Sequence, residues 1–289
     1  MENRPQTVGE PSLDAAGPYS WDVQADIGII GGSGFYSFLS DIERVSVDTP
    51  FGEPSAPLAI GEVNGRRVAF LPRHGEQHQF PPHRVNYRAN LWALRSVGVR
   101  QVLAPCAVGG LRADLAAGTF VVPDQVVDRT WGRAHTIWDA IGPVVHTSFA
   151  DPYCPRGRAA FLAANPAAVD GGTLVVINGP RFSTRAESQW HAAAGWSVVG
   201  MTGMPEASIA RDLAMCFSTV CMVTDADAGV EGPGVSHAEV LRVFAGNIER
   251  LKAMLLDVVG ALPEPEADDT ATCACRRALD GLPLPFELP

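Results

Sequence analysis

The sequence predicts an α/β fold, a single domain whose central mixed, largely parallel sheet is flanked by helices. Three observations predict it. Short apolar runs rich in β-branched residues recur through the middle of the chain, helix-like stretches alternate with them, and most runs end in a cluster of glycine and polar residues. Runs of this kind, bounded by Gly or Pro, suit buried strands. They are residues 27–30, 68–71, 102–104, 120–122, 174–177, 197–199 and 219–223. Residues 85–97 and 205–215 read as helices, the second opening on Pro205, where a missing N–H costs nothing. A third helix is expected from Ser236, which makes a capping box with Glu239. Val240, Phe244, Ile248, Leu251, Leu255 and Val258 keep one apolar face along it.

Three regions follow. Residues 1–24 are rich in Pro, Gly and Ser without apolar periodicity and read as a mobile extension. Residues 25–262 form the domain, and 263–289 an acidic, Pro-containing linker with a C-terminal arm. At 289 residues and 46% hydrophobic, the chain can bury a large core. Its formal net charge of −10 argues against a nucleic-acid surface, for which a basic face is expected. The first residues lack the basic and apolar regions of a signal peptide, and no run reaches the length of a membrane span. Membrane partners are therefore not expected, and a cytoplasmic location is. The six cysteines (Cys106, Cys154, Cys216, Cys221, Cys273 and Cys275) read as thiols, Cys216 and Cys221 as core packing. No pair has the spacing of a zinc knuckle, and Cys273-Ala-Cys275 is too short for one, so no metal site is expected.

The chemistry gathers behind the strands. Gly31-Gly32-Ser33-Gly34, Pro72-Arg73-His74-Gly75, Pro105-Cys106-Ala107-Val108-Gly109-Gly110, Gly200-Met201-Thr202-Gly203 and Thr224-Asp225-Ala226-Asp227 each follow an apolar run. In α/β sheets the ligand crevice lies outside the carboxyl ends of the strands. The first cluster offers backbone N–H groups and a hydroxyl to an anion, or is simply a tight turn. Arg73 adds a fixed, forked cation and His74 a second, titratable donor; alone, the pair is equally a surface ion-pair partner and a satisfied histidine. Joined to Ser33 and Thr202, they make a phosphate site that needs no metal. Asp225 and Asp227 stand two apart at a strand end, where extended backbone turns both side chains the same way. Such a pair can share a proton and hold it near neutral pH, unless it is a solvated acidic turn. Phe182, between a strand and a helix start, has the flat apolar face that stacks on a planar base, or is core.

Taken in order, these pieces resemble the trimeric purine nucleoside phosphorylases, and within them the methylthioadenosine phosphorylases. The resemblance rests on residues 27–34, 47–52, 73–78 and 86–90, then 124–130, 179–183, Met201-Thr202 with Pro205-Glu206, and Thr224-Asp225. It spans residues 27 to 258 and implies the nucleoside phosphorylase fold. It further implies that Ser33, Arg73, His74, Thr202 and the Cys106-Ala107 segment hold phosphate. By the same resemblance Phe182 stacks on the purine, Met201 reaches the ribose hydroxyls through its backbone, and Asp225 and Asp227 read the N7 and 6-amino edge. His146 is implied to come from a neighbouring subunit to the 5′ end of the sugar, so that a homotrimer shares its sites. The implied reaction, part of purine salvage, is attack of phosphate on C1′ of 5′-methylthioadenosine or a related 5′-modified adenosine, with adenine leaving. Inorganic phosphate is then a co-substrate, and no cofactor is expected.

Two positions depart from the pattern. Cys106 stands where a Thr or Ser hydroxyl is usual, replacing a strong donor by a weak thiol. His237 matches a histidine that contacts the 5′-hydroxyl in 6-oxopurine phosphorylases, where methylthioadenosine enzymes often carry an apolar residue. It is placed with Val240 at the nucleoside site, the alternative being an exposed first-turn residue. A polar 5′ pocket leaves adenosine or a 5′-halo-5′-deoxyadenosine as alternative substrates. A 6-oxopurine phosphorylase is opposed by Asp225, which such enzymes replace with Asn. A non-catalytic adenosine-binding protein is opposed by the intact Arg73-His74 pair. A nucleosidase using water is separated from a phosphorylase by assay.

Overall fold

The computed structural model describes residues 25–32, 40–229, 237–263 and 273–289. Its elements follow in chain order. Strands β1 (Ile27–Gly31), β2 (Ser40–Val45), β3 (Leu58–Val63) and β4 (Arg66–Pro72) precede helix α1 (Tyr87–Ser96). Then come β5 (Gln101–Leu103), β6 (Cys106–Gly110), β7 (Phe120–Val122), β8 (Gln125–Arg129), helix α2 (Pro155–Ala164), β9 (Val169–Asp170) and β10 (Thr173–Ile177). Helix α3 (Arg185–Ala193), β11 (Val198–Gly200), helix α4 (Gly203–Asp212), β12 (Cys216–Ser218), β13 (Cys221–Ala226) and helix α5 (His237–Ala261) complete the chain.

The strands make two mixed sheets where the sequence led us to expect one. The first has the order β12-β5-β1-β4-β3-β2 and the second β8-β10-β11-β6-β13-β7-β9. Seven of the eleven pairings are parallel, so the largely parallel character holds. Two segments pass side by side from one sheet to the other. Residues 101–110 run from β5 into β6, residues 216–226 run from β12 into β13, and the bonds Ala104 N to Ser218 O (2.9 Å) and Cys106 N to Val220 O (3.0 Å) hold them together at the crossing. This crossing explains two departures from expectation. The run 219–223 is divided, with Thr219 and Val220 bridging the sheets, and the glycine-rich 106–110 segment, expected only as a cluster behind a strand, is itself a strand between β11 and β13.

Burial follows from topology. All five residues of β1 are buried, because parallel neighbours flank it in the sheet and helices cover its faces. Helix α1 packs Leu91, Trp92 and Leu94 into the main core, and Asn86 caps it by accepting from Ala89 N–H at 3.3 Å. Leu251, Leu255 and Val258 of α5 enter a second core cluster with Phe244 and Ile248 at its edge, as their spacing predicts. Val240, at the start of the same face, instead lines a cavity. Helix α4 bends early: Met204 and Pro205 are non-helical, so regular turns begin at Glu206. Residues 1–24 and the capping Ser236 lie outside the described residues, and Glu239 pairs with Arg242. From the C-terminal arm, Phe286 packs against Trp92 and Trp138, at 5.9 and 4.8 Å between ring centroids.

Candidate active site

A cavity of about 650 Å³ opens where the loaded strand ends converge. Arg73, His74, Cys106, Ala107, Phe182, Met201, Thr202, Asp225, Asp227 and Val240 all line it, with Gly32 beside them. Ser33 and the side chain of His237 lie outside the described residues. His146 is exposed and does not line the cavity of its own chain.

At one end stands Arg73, whose backbone N–H bonds Gly31 O as β4 leaves the sheet. Its guanidinium is buried and held on three sides. Nε and Nη2 donate to the two oxygens of Glu206, at 2.5 and 3.0 Å. Nη1 reaches Pro105 O at 3.3 Å, and Nη2 also reaches Ile30 O at 3.2 Å. Four of its five N–H groups are thus engaged, leaving one on Nη1 for an anion. Burial opposes its charge, but the ion pair with Glu206 outweighs this and raises Arg73 above the ordinary guanidinium value. Glu206, from the first turn of α4, was quoted in the sequence only as part of the Pro205-Glu206 motif, with no role given to it.

His74 corrects an expectation. Its Nδ1 lies 2.8 Å from Phe80 O, and because a carbonyl only accepts, Nδ1 carries the proton. Burial, then the charge of Arg73, push its pKa down to about 4. The ring is therefore neutral at pH 7 and turns an accepting Nε2 outward. It is an acceptor where a titratable donor was expected. Thr202 is buried and caps α4 without a side-chain bond, which leaves its hydroxyl for a ligand. The Cys106 thiol packs 3.6 Å from Cys221 Sγ and 3.7 Å from Thr219 Oγ1.

At the other end, β13 carries the carboxylate pair. Its pairing with β6 shifts register between Val223 and Asp225, yet both acids reach the cavity. Oδ1 of Asp225 accepts from Thr224 Oγ1 at 2.7 Å, while burial, and then the charge of Asp227, raise Asp225 above the usual carboxylate range. Asp227 is 2% exposed and accepts at Oδ2 from Ser188 on α3, and its backbone N–H bonds Gly110 O at 2.9 Å. Gly109 permits this approach, since a Cβ there would stand 3.2 Å from Asp227 Cβ. Ser188 was missed, because one serine in a helix carries no signal of the partner it will meet.

The wall between the ends is braced by Arg133, also unforeseen. Its guanidinium donates to Asn178 Oδ1 (3.2 Å), Asn178 O (2.8 Å), Met201 O (2.9 Å), Met204 O (2.6 Å) and Tyr87 Oη (3.2 Å). It fastens the segments before Phe182 and after β11 into one surface. Gly179 there has φ +61°, and a Cβ would fall 2.6 Å from Met201 Sδ, so glycine alone fits. Phe182 precedes a capping box in which Thr184 and Glu187 satisfy each other's N–H groups. Arg181 grips Glu187 through two bonds of 2.8 Å and, ahead of the Thr184 N–H, holds it down to about 2.

The chain belongs to the phosphorylase superfamily, whose family model matches residues 26–260. It is an enzyme of the pentosyltransferase class. It is 61% identical over 279 residues to a purine nucleoside phosphorylase of Streptomyces coelicolor, covering 92% of this chain and 99% of that one. It is 55% identical over 265 residues to the S-methyl-5′-thioadenosine phosphorylase of Mycobacterium tuberculosis, covering 91% and 97%. Among solved structures it resembles a methylthioadenosine phosphorylase from an antarctic soil metagenomic library, with a TM-score of 0.83, 36% identity and coverage of 90% and 92%. It likewise resembles the Schistosoma mansoni methylthioadenosine phosphorylase in complex with adenine, with a TM-score of 0.79, 36% identity and coverage of 86% and 94%. These matches agree with the resemblance carried by its motifs.

Proposed function

We propose that the enzyme cleaves 5′-methylthioadenosine, or a closely related 5′-modified adenosine, with phosphate, giving adenine and a 5-substituted ribose 1-phosphate. The observation that carries this reading is one cavity with the Arg73 guanidinium and Thr202 hydroxyl at one end and, at the other, the Asp225 carboxyl, which burial holds above the usual carboxylate range. The free Nη1–H of Arg73 and the Thr202 hydroxyl donate to phosphate oxygens. Neutral His74 accepts the remaining O–H of a phosphate dianion through Nε2. A phosphate oxygen forms its bond to C1′ as the C1′–N9 bond breaks. The electron pair goes into the purine ring, and Asp225 delivers a proton to N7. Asp227, fixed by Ser188, takes the 6-amino edge, and Phe182 covers a face of the base.

The wider assembly belongs to the same reading. His146 is exposed on its own chain, in a stretch that also exposes Ile141 and Val144, which suits a surface covered by another subunit. A homotrimer in which each His146 completes a neighbour's cavity, working in the cytoplasm without a cofactor, is part of this proposal. A base panel tests it. Methylthioadenosine and adenosine should release adenine, while inosine should react at least about a hundredfold more slowly. Equal rates on inosine would refute the assignment of Asp225 to an adenine edge.

A further inference from the structure

Away from the cavity, the fold gathers four thiols that the sequence keeps far apart. Cys154 stands just before α2, Cys216 opens β12, and Cys273 and Cys275 lie in the C-terminal arm. They are between 0 and 4% exposed and form a buried cluster of their own. Their four sulfurs lie within 4.8 Å of one another, with Cys273 at 3.3 Å from Cys216 and 3.8 Å from Cys154. Two backbone bonds fix the first pair: Cys154 N–H to Phe217 O and Cys216 N–H to Arg100 O, each 2.8 Å. None of the four lines the active-site cavity.

We propose that Cys154, Cys216, Cys273 and Cys275 bind one zinc ion as a closed, structural tetrathiolate site. A tetrahedral zinc with bonds of about 2.3 Å separates its sulfurs by roughly 3.8 Å, close to the spacings here and well beyond the ~2.0 Å of a disulfide. Four soft, buried donors with no oxygen among them select against magnesium and calcium. Each thiol releases its proton to solvent as the metal binds, so a Zn²⁺ centre with four thiolates carries two net negative charges. Two arginines neighbour the cluster along the backbone. Arg100 shares a backbone bond with Cys216, and Arg276 follows Cys275. Nη1 of Arg100 is buried with no hydrogen-bond partner among the described residues. The metal thereby pins the C-terminal arm, whose Phe286 packs on Trp92 and Trp138, to the body of the domain. Ligand spacing along the chain gives no sign of this cluster, because three separate segments supply its four thiols.

The test is metal content, which is independent of substrate. Full-length protein, made without added metal and purified with a thiol reductant, should hold about one zinc per chain by plasma mass spectrometry. The Cys273→Ser/Cys275→Ser variant should hold less than about a tenth of that and melt at a lower temperature. Cys221→Ala, altered outside the cluster, should keep its zinc. Protein grown on cobalt should show thiolate-to-cobalt charge transfer and the intense visible bands of a tetrahedral ion, which needs no variant to fold. Folded wild-type protein with less than about a tenth of a zinc per chain would overturn the proposal. So would iron in its place, or thiols found joined as disulfides.

Discussion

At the scale of single residues, the paired acids give the sharpest expectation. Asp225 is held above the usual carboxylate range, and its Oδ1 is already bonded by Thr224. Asp225→Asn keeps the shape but removes the acid, so turnover on adenine nucleosides should fall by about 10²-fold or more. Base preference should move toward 6-oxopurines, because an amide both accepts and donates. Unchanged turnover and preference would take Asp225 out of the site. His74 carries a second expectation, in stability. Its pKa is pushed from 6.5 down to about 4 in the fold, so between those values the unfolded chain binds more protons. Its contribution is present above pH 6.5 and is lost as the pH falls toward 4. Replacing His74 with Gln should flatten the drop in unfolding free energy, read from urea titrations over this range, by an amount of the order of 2 kcal/mol, allowing for partial exposure. Parallel curves for the two proteins would mean the ring is not held neutral. Arg73, Thr202 and the two aspartates were legible in the sequence because each follows an apolar run. Their braces were not: Glu206, Ser188 and Arg133 work through partners 133, 39 and up to 71 positions away, a separation with no local pattern.

At the scale of elements, buried parallel strands and the apolar faces of α1 and α5 were legible, since period and burial coincide there. The division of 219–223 and the strand 106–110 were not, because a chain crossing between two sheets needs tertiary partners to define it. Edge strand β2 and its neighbour β3 also went unread, as charged residues such as Glu43 and Glu62 interrupt their apolar runs. Helix α5 sets the expectation at this scale. Its early residues Val240, Leu241 and Phe244 give the cavity an apolar lip. His237 begins the same helix, and the expectation from the family resemblance is that it meets the sugar 5′ substituent. A hydroxyl pairs with an imidazole and a methylthio group does not. His237→Val should therefore lower kcat/KM for adenosine relative to methylthioadenosine by roughly tenfold, the scale of one buried polar group left unpaired. A ratio moving by less than about twofold would place substrate choice elsewhere.

At the scale of the whole molecule, two sheets joined by paired crossing segments bring strand ends from both into one cavity. The anion end draws on β4, β6 and the start of α4, and the base end on β13, supported from α3. The second sheet contributes to both ends, and the first adds Arg73 and His74 behind β4. The cavity also separates the two kinds of site in the chain: the reacting groups line it, and the thiol cluster does not. The central claim is that phosphate, not water, attacks the sugar, and the carbon–nitrogen bond is the place to measure it. Purified enzyme would be given 5′-methylthioadenosine with and without inorganic phosphate, while adenine, phosphate and the sugar product are followed together. The account predicts one phosphate consumed for each adenine released, a 5-methylthioribose 1-phosphate as the other product, and release at least about 10²-fold slower without phosphate. Adenine released at a similar rate without phosphate, with free methylthioribose beside it, would contradict the account.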